Sequence, residues 1–600
     1  MLSAIREIGK WQIEKSGKDE LDVLIKEPNF RNGGKVILIK INLNNNAFEG
    51  IELEDYDPIK KHKYLFRGGV SQGPNPTPAA NIPNAKKGRN EEEAEKNLET
   101  QLRKTFRGKI QKWFAQYSKR NTYSDDEKSF LKDIGDVLSY NQEHIVPAMK
   151  SCIADIPKKE GKLLTIKIES CGDWKYIGDF KVFKKALQGI EAEKIGGISA
   201  NNKKCSICGT QKGMVSGDGG VFKFYTIDKP GFIAGGFKDL LAWRNFPVCP
   251  ECKIELEEGR KFIENNFTYR FYGLRYLLIP KLLLGSSDKR NEIVDILLYA
   301  KKTVSLKERV KKNITDAEDE ILDILGDQPD KLTINFLFLR KEQSAERILL
   351  LIEDVFPSRI RRIFNAKDFV DGILGENFTF RNIRDFFAKS DDKKRSFDLD
   401  KYFLDIVDKV FRGAPIEPSF LIRFFMARIR KEFAADGYFN PVVKSAIMCT
   451  IFFENLGLIT FKEVIDMEES IFEDVFTHYG KSLGDPAKRG VFLLGALTQL
   501  LLNKQWAERS AKPFMKHLKA LKMDQKYIKT LLPKVQNKLE EYDSFDKGKR
   551  TIASEASKYL LEAGDGWRIS VDEINFYFAC GLNLADSIAA IVYPKTKEEE

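Results

Sequence analysis

Two Cys-x-x-Cys pairs constrain this chain more than any other feature of its sequence. Cys205 and Cys208 form the first pair, and Cys249 and Cys252 form the second. Two residues between the cysteines let one tight turn direct both sulfurs at the same ion, so the spacing predicts a zinc site with four thiolate ligands. A disulfide pair and free buried thiols are the alternatives. Four protein ligands leave no open position for water, so we expect a structural site.

The 40 residues between the two pairs exceed the length of a compact zinc finger. Residues 201–260 are therefore predicted to form a zinc ribbon enlarged by an insert, with a strand over 221–226. Glycines, lysines and aromatic residues are interleaved in this insert. Such a surface could hold a nucleic-acid strand by stacking and charge, or the same aromatic residues could fill a small core. Lys223 is the candidate nucleic-acid-binding residue of this segment.

The other cysteines and the charge balance indicate a reducing compartment. Cys152, Cys171, Cys449 and Cys580 are scattered, which argues against a disulfide scaffold. Lysine and arginine exceed aspartate and glutamate by 11, which permits nucleic-acid binding without requiring it. The N-terminus lacks an apolar signal core, and the most apolar run, residues 491–502, is shorter than the roughly 20 residues of a membrane span. We therefore expect a cytoplasmic protein with no membrane partner.

Hydrophobic periodicity predicts an α+β fold class for the first two thirds of the chain. Residues 1–200 are predicted to form a mixed α/β N-terminal region. Its predicted elements are strands over 35–43 and 163–169 and helices between 90 and 149. The zinc ribbon is thus an insert after a mixed N-terminal region.

An α+β continuation is predicted over 261–415, after the zinc ribbon. Helical spacing is expected over 253–330 and again over 344–355, with a strand over 332–339 between them. Residues 416–600 lack strand signals and are predicted to form a separate all-α helical bundle. Its predicted helices cover 420–433, 442–454, 461–478, 486–504, 524–541 and 571–590.

A glycine- and proline-rich loop is predicted over 68–90, after a basic and aromatic strand end. Glycine lets a backbone approach a phosphate or base edge closely, and flanking basic residues supply countercharge. Amide side chains in the loop could hydrogen-bond to base edges. A disordered surface linker is the alternative. The candidate nucleic-acid-binding residues here are Lys60, Lys61, Arg67, Gln72, Asn75, Lys86, Lys87 and Arg89.

A dense basic cluster follows the Phe-Pro dipeptide at residues 356–357. Arg359, Arg361 and Arg362 occupy three of four consecutive positions and could grip phosphates. The alternative is a solvated helix face. All three arginines are therefore candidate nucleic-acid-binding residues.

The sequence lacks the patterns of common catalytic sites. Its four histidines do not form a metal-ligand spacing, and neither a phosphate-binding P-loop nor a Gly-x-Ser-x-Gly motif is present. We therefore expect a binding or assembly protein, with no catalytic residues, although an active site could be assembled from distant positions.

Four blocks of the chain, in this order, resemble the large subunit of the type I-B CRISPR Cascade complex, the Csh-type family. The first is Tyr-Leu-Phe-Arg at 64–67 with the Gly-Pro-Asn-Pro-Thr-Pro loop at 73–78. The paired cysteines are the second block. The third and fourth are Asp-Val-Phe-Pro-Ser-Arg at 354–359 and Phe-Leu-Leu-Gly at 492–495.

This resemblance implies a non-catalytic subunit of an RNA-guided surveillance complex with structural Zn²⁺. Its implied partners are guide RNA, target double-stranded DNA, the backbone, guide-end-capping and small subunits, and a helicase-nuclease. The family's large subunit recognises the protospacer-adjacent motif, helps to open the duplex, stabilises the R-loop and recruits the helicase-nuclease. The C-terminal bundle resembles the Cascade small subunit, which an internal start at Met448 or Met467 could release.

Two other classes of protein remain compatible with the sequence. One is a zinc-dependent structural scaffold of another ribonucleoprotein, which would purify without backbone-type subunits. The other is a nucleic-acid enzyme with an unrecognised active site, which would cleave nucleic acid with a divalent metal when isolated.

Overall fold

The computed structural model describes residues 1–282, 294, 295, 298 and 332–594, apart from short gaps, the longest at 223–233 and 462–469. These residues form two compact units, one over 2–265 and the other over 266–600. The zinc-ribbon segment belongs to the first unit, and the second sheet and the helical bundle share the second. The α+β fold class with a helical C-terminal region is confirmed.

A five-stranded mixed sheet underlies the first unit. Its strands are β1 (Gly34–Asn42), β2 (Ala47–Asp55), β3 (Ala80–Asn81), β4 (Gly161–Ser170) and β5 (Asp173–Tyr176). The order is β2-β1-β4-β3, and β5 also pairs with β4. The central strands β1 and β4 are parallel, whereas β2, β3 and β5 pair antiparallel with their neighbours. β1 and β4 confirm the strands predicted over 35–43 and 163–169, and their apolar runs are buried.

Helices surround this sheet. They are α1 (Leu2–Ser16), α2 (Glu20–Leu24), α3 (Lys61–Tyr64), α4 (Glu91–Thr105), α5 (Lys112–Tyr117), α6 (Asp125–Tyr140), α7 (Gln142–Ala154), α8 (Lys181–Gly196) and α9 (Pro250–Asn266). The helices α6 and α7 pack on β1 and β2. Trp113 and Phe114 of α5 and Phe183 of α8 are buried in the core beside the sheet. A two-stranded hairpin, β6 (Ser199–Lys204) and β7 (Gln211–Ser216), precedes α9.

The strand end predicted before the Gly/Pro loop is wrong, because the chain there is helical. A 3₁₀ turn covers Pro58–Lys60, and α3 follows it directly. The Asp57 side chain accepts a hydrogen bond from the Ile59 N–H at 2.9 Å, and Pro58 occupies the first helical position. A capping aspartate followed by proline starts a helix and thereby overrides the strand signal of the residues that follow.

A four-stranded antiparallel sheet opens the second unit, and it corrects two helix predictions. Its strands are β8 (Thr268–Phe271), β9 (Leu274–Leu282), β10 (Leu332–Lys341) and β11 (Glu346–Val355), in the order β11-β10-β9-β8. Most of residues 283–330 lies outside the described residues. Helix over 253–330 is wrong at residues 268–282, where the chain forms β8 and β9 instead. There Tyr272 and Gly273 have φ of 47° and 86°, which is the two-residue turn that joins hairpin strands.

Helix over 344–355 is also wrong, because β11 occupies residues 346–355. Its apolar run fits a buried strand or a buried helix equally well from local spacing alone. Antiparallel pairing with β10, from Lys341–Glu346 to Ile334–Val355, decides in favour of the strand. The strand predicted over 332–339 is confirmed as β10.

Eleven helices follow in the described part of the second unit. They are α12 (Pro357–Leu374), α13 (Phe380–Phe386), α14 (Asp400–Arg412), α15 (Pro418–Ala434), α16 (Asn440–Asn455), α17 (Glu473–His478), α18 (Pro486–Arg509), α19 (Gln525–Glu541), α20 (Lys547–Glu562), α21 (Val571–Asn583) and α22 (Ala585–Val592). This confirms the helical character of the C-terminal region.

The bundle differs from its prediction in detail. The single helix expected over 571–590 is two helices bent by 58°, and α20, capped by Asp546, was not predicted. Part of the helix expected over 461–478 lies outside the described residues. Met448 is buried in the middle of α16, so a start there would divide that helix, whereas Met467 lies outside the described residues. Within the described residues no single helix is long and apolar enough to span a membrane, although the bent pair α21–α22 passes that test by length and composition.

Helices α18 and α21 of the bundle approach each other closely at two glycines. A Cβ added at Gly495 of α18 would lie 2.2 Å from the Phe578 carbonyl oxygen, and one at Gly581 of α21 would lie 1.9 Å from that of Phe492. Two backbones therefore approach more closely than any larger residue permits. This close crossing gives a physical reason for the glycine of the Phe-Leu-Leu-Gly block at 492–495.

We predict that Gly581→Ala destabilises the second unit by about 1–3 kcal/mol, because the added methyl group would collide with rigid helix backbone. Gly566→Ala is the matched control, since a Cβ there meets no atom within 4 Å. Urea denaturation followed by circular dichroism measures both. Equal denaturation midpoints for Gly581→Ala and the control would refute the close crossing.

Candidate metal centre and nucleic-acid residues

The first cysteine pair lies in the turn between β6 and β7. The Cys205 N–H donates to the Thr210 carbonyl at 3.0 Å, and the Gly209 N–H donates to the Cys205 carbonyl at 2.9 Å. Gly209 has φ of 71°, a left-handed conformation that glycine adopts without strain. These bonds close a tight knuckle that directs both thiols to one side.

The second cysteine pair begins α9. Cys249 directly precedes the helix, and Cys252 lies in its first turn. Backbone hydrogen bonds join this knuckle to the first: Ser216 and Val248 exchange two bonds of 2.8 Å, and the Ser206 N–H donates to the Pro247 carbonyl at 2.8 Å. The ribbon therefore holds the two knuckles together through its own backbone.

The four thiols converge on one point. Their sulfur atoms all lie within 4.8 Å of one another, and three of the four residues are buried. A zinc–sulfur distance of about 2.3 Å places the sulfurs of a tetrahedral site about 3.8 Å apart, so only small shifts would close the cluster on an ion. The Ile207 and Cys249 N–H groups each donate to the Cys205 sulfur at 3.4 Å, which is the hydrogen bonding that a thiolate ligand requires.

Burial and neighbouring thiols oppose the loss of protons by Cys205 and Cys249, so four thiolates together need a cation. The neighbouring Cys252 thiol and burial raise the pKa of the Cys249 thiol far above its usual range. Burial opposes ionisation of Cys208, but hydrogen bonds with Thr210 lower the pKa of this thiol to about 6. A divalent metal ion would stabilise four thiolates together, so the donor set fits Zn²⁺. An ion held by all four sulfurs would have no open coordination position.

Helix α9, which begins at the second cysteine pair, packs directly against α1. A Cβ at Gly9 would lie 1.7 Å from the Glu255 carbonyl oxygen, and one at Gly259 would lie 1.9 Å from that of Ile5. Arg6 pairs with the Glu255 side chain at 2.5 Å beside this contact. The helix that begins at the second knuckle is therefore packed backbone to backbone against the N-terminal helix.

We predict that protein purified under reducing conditions contains about one zinc ion per chain. Cys205→Ser should lose the ion and much of its solubility, because ligation contributes on the order of 10 kcal/mol to the folding of such a unit. Elemental analysis and size-exclusion chromatography measure both effects.

Cys152→Ser is the matched control, since Cys152 lies on α7 and is not part of the cluster. This control should keep its zinc and its solubility. Zinc-free wild-type protein that is folded and soluble would contradict the metal site.

The structure assigns internal partners to two residues of the predicted nucleic-acid loop. Arg67 is 6% exposed; it donates to the Leu24 carbonyl at 2.9 Å and pairs with Glu257 of α9 at 3.4 Å. Asn75 is 4% exposed and donates to the Ala79 carbonyl at 2.8 Å. Both side chains stabilise the loop in this conformation, and DNA contact by either one stays a prediction.

The other predicted residues of the first unit differ in their surroundings. Lys60 pairs with Glu54 at 3.1 Å, and Lys61 pairs with Asp22 at 2.9 Å, so acidic neighbours offset both charges. Lys86 and Arg89 are exposed. Gln72, Lys87 and Lys223, and most of the strand predicted over 221–226, lie outside the described residues.

The basic cluster in α12 is largely explained by helix capping. Arg359 Nε donates to the Val410 carbonyl in the last turn of α14 at 3.0 Å. Arg362 donates to the Leu456 carbonyl at the end of α16 at 3.3 Å. Carbonyls at a helix C-terminus lack intrahelical partners and carry partial negative charge, so both arginines stabilise helix ends. Arg361 is exposed, and so is Arg362 apart from its bond to Leu456, so two of the three predicted arginines remain accessible to solvent.

One concentration of basic residues has no counterpart among the sites predicted from sequence. Residues 504–538 contain ten lysine or arginine residues and two acidic ones. The helical periodicity of residues 504–538 predicts their apolar face only. A count of charged residues along the chain identifies their basic character.

Three domain profiles of one family match the chain in order. They describe CRISPR-associated protein TM1802 (cas_TM1802): its N-terminal domain at residues 1–189, its central domain at 202–355 and its C-terminal domain at 378–596. The central match includes all four clustered cysteines. No curated protein matches the chain. The matched domains together span most of the chain, which therefore belongs to the CRISPR-associated TM1802 family.

Proposed function

We propose that this protein is the non-catalytic large subunit of an RNA-guided surveillance complex of the type I-B Cascade kind. The observation that carries the proposal is the ordered match of three domains of one CRISPR-associated family. In this role a guide RNA reads the target by base pairing, and the protein reads a short adjacent motif on double-stranded DNA. Its proposed partners are the backbone, guide-end-capping and small subunits and a helicase-nuclease, all in the cytoplasm.

Motif recognition is proposed for the Gly/Pro loop, because its segment at residues 73–76 is anchored to the core. The Lys109 ammonium donates to the Gly73 carbonyl at 2.7 Å, and the indole N–H of buried Trp113 donates to the Pro76 carbonyl at 3.0 Å. An anchored loop loses little conformational entropy when it binds, which favours precise reading of base edges. Gln72 carries an amide of the type that hydrogen-bonds to bases.

A structural zinc site supports a subunit without catalytic activity of its own. Four sulfur ligands would fill the tetrahedral shell of the ion and leave no position for a reactive water. In this proposal strand opening and R-loop stabilisation depend on binding alone, and degradation of the target belongs to the recruited helicase-nuclease.

We predict that affinity-tagged protein co-purifies from its native cells with a short guide RNA and backbone-type subunits. The Cys205→Ser variant should lose these partners with its fold, whereas Cys152→Ser should retain them. RNA sequencing and mass spectrometry identify the bound species. RNA-free protein, or isolated protein that cleaves nucleic acid with a divalent metal, would overturn the proposed function.

We further predict that Gln72→Ala in the assembled complex reduces discrimination between correct and incorrect adjacent motifs by about 1–3 kcal/mol, the range of one base contact. Arg361→Gln is the contrasting variant: loss of a phosphate contact should weaken binding to all sequences and lower the salt slope by about 1.

Electrophoretic mobility shifts on matched and mismatched duplexes measure both effects. Asn75→Ala separates loop shape from base reading, because it removes the internal bond to Ala79. Unchanged discrimination in Gln72→Ala would exclude this side chain as a motif reader.

A further inference from the structure

The C-terminal bundle carries a large excess of positive charge in one short segment. Residues 504–538 have an excess of eight basic over acidic side chains, against eleven for all 600 residues. This segment includes the end of α18, a 3₁₀ turn at Pro513–Leu521 and most of α19. Its charge is therefore confined to adjoining elements of one unit.

Most of these cations are exposed and lack an acidic partner. Of the two acidic residues in the segment, Glu508 pairs with Lys504, and Asp524 caps the N-terminus of α19. Three lysines, Lys504, Lys529 and Lys538, form ion pairs. The exposed cations for which the described residues supply no ion pair are Arg509, Lys512, Lys516, Lys519, Lys522, Lys526 and Lys534.

Four of the basic side chains in residues 504–538 lie close to two tyrosine rings, Tyr527 in α19 and Tyr542 at its C-terminal end. The Lys519 and Lys534 ammonium groups lie 3.7 Å and 4.9 Å from the centre of the Tyr527 ring. Arg509 and Lys538 lie 5.0 Å and 5.9 Å from the Tyr542 ring. Residues 527, 534, 538 and 542 are separated by seven, four and four positions, so they share one helix face. We call Arg509, Lys519, Lys534 and Lys538 the α19 stripe.

The turn that presents Lys519 is held rigidly by buried groups. Lys519, Ala520 and Leu521 have φ of 47°, 50° and 56°, a left-handed run that non-glycine residues adopt only when surrounding structure enforces it. Buried Asn575 of α21 bonds to both the N–H and the carbonyl of Met523 directly after the turn, at 3.0 Å and 2.8 Å. The backbone that carries Lys519 is therefore fixed before any ligand arrives.

The arrangement suits repeated negative charges at fixed spacing. Tyr527 and Tyr542 are 15 residues apart on α19, which is about 22 Å at a rise of 1.5 Å per residue. Like charges gathered around one ring repel each other, and a bound anion would relieve that repulsion. The tyrosine faces are occupied by cations, so the stripe offers charge and not an open platform on which bases stack.

We propose that the α19 stripe binds the phosphate backbone of nucleic acid without reading its sequence. Nucleic acid is favoured over an anionic membrane because the cations, which three adjoining elements supply, lie along the α19 face that carries Tyr527 and Tyr542, matching a linear array of phosphates. The inference relies on the proposed function only for the presence of nucleic acid in the complex. It assigns sequence-independent affinity to a surface in the second unit, separate from the Gly/Pro loop in the first.

The test variant is Arg509→Gln, Lys519→Gln and Lys534→Gln combined in the full-length, zinc-loaded protein. Glutamine keeps a polar side chain of similar helix propensity while it removes the charge. Fluorescence anisotropy with oligothymidylate and with a mixed-sequence duplex, at several salt concentrations, measures affinity. The slope of log affinity against log salt should fall by about 2 for the single strand and about 3 for the duplex.

The matched control removes three exposed lysines from the first unit, by Lys96→Gln, Lys104→Gln and Lys132→Gln. It changes the net charge equally and should leave the slope nearly unchanged. Exchange of lysine and arginine at the stripe (Arg509→Lys, Lys519→Arg and Lys534→Arg) keeps the charge and should preserve the wild-type slope. Unaltered circular dichroism and melting temperature establish that the variants are folded.

Three outcomes would overturn the proposal: an unchanged slope in the stripe variant, an equal loss in the control, or a loss confined to binding of phosphatidylserine vesicles. Failure of the proposed function is a separate observation. Loss of slope in a protein that purifies without guide RNA would support the stripe and reject the surveillance role. Intact motif discrimination in the stripe variant separates backbone binding from base reading.

Discussion

The packing of α9 is the constraint on which the first unit depends. Its N-terminal end supplies Cys249 and Cys252 to the thiol cluster, and its middle lies in backbone contact with α1 at Gly259. Two residues earlier on the same helix, Glu257 pairs with Arg67, which leads into the Gly/Pro loop. Metal ligation would thus fix the start of a helix whose later turns position both the N-terminal helix and the beginning of the loop.

The second unit repeats the close glycine contacts of the first unit and adds charged groups at helix ends. Gly495 and Gly581 allow α18 and α21 to touch through their backbones, as Gly9 and Gly259 do for α1 and α9. Three arginine contacts link the helices differently: Arg359 and Arg362 cap α14 and α16 from α12, and Arg430 of α15 donates to the Leu521 carbonyl after the left-handed turn. Several conspicuous arginines are therefore elements of the fold.

Local patterns predicted what depends on local chemistry and missed what depends on distant partners. The cysteine spacing specified a shared site, and the buried runs of β1, β4 and β10 were long enough to identify as strands. The run at 346–355 required its neighbour β10 to become a strand, because its apolar residues fit either structure. Arg67 looked available for DNA, since no local pattern reveals that Leu24 and Glu257 bind it in the fold.

Charge distribution ties these observations to the proposed function. The net charge of +11 is unevenly spread along the chain, because the bundle segment 504–538 alone has eight more basic than acidic residues. Around the Gly/Pro loop, Lys60, Lys61 and Arg67 are each offset by an acidic partner. In this proposal, recognition at the neutralised start of the loop falls to amide groups, which suits selectivity, whereas Lys86 and Arg89 near its end are exposed and add charge. The α19 stripe supplies attraction without selectivity. Backbone contacts position a nucleic acid and base contacts specify it, so a protein that divides these tasks between two units can bind DNA broadly while it tests the adjacent motif locally.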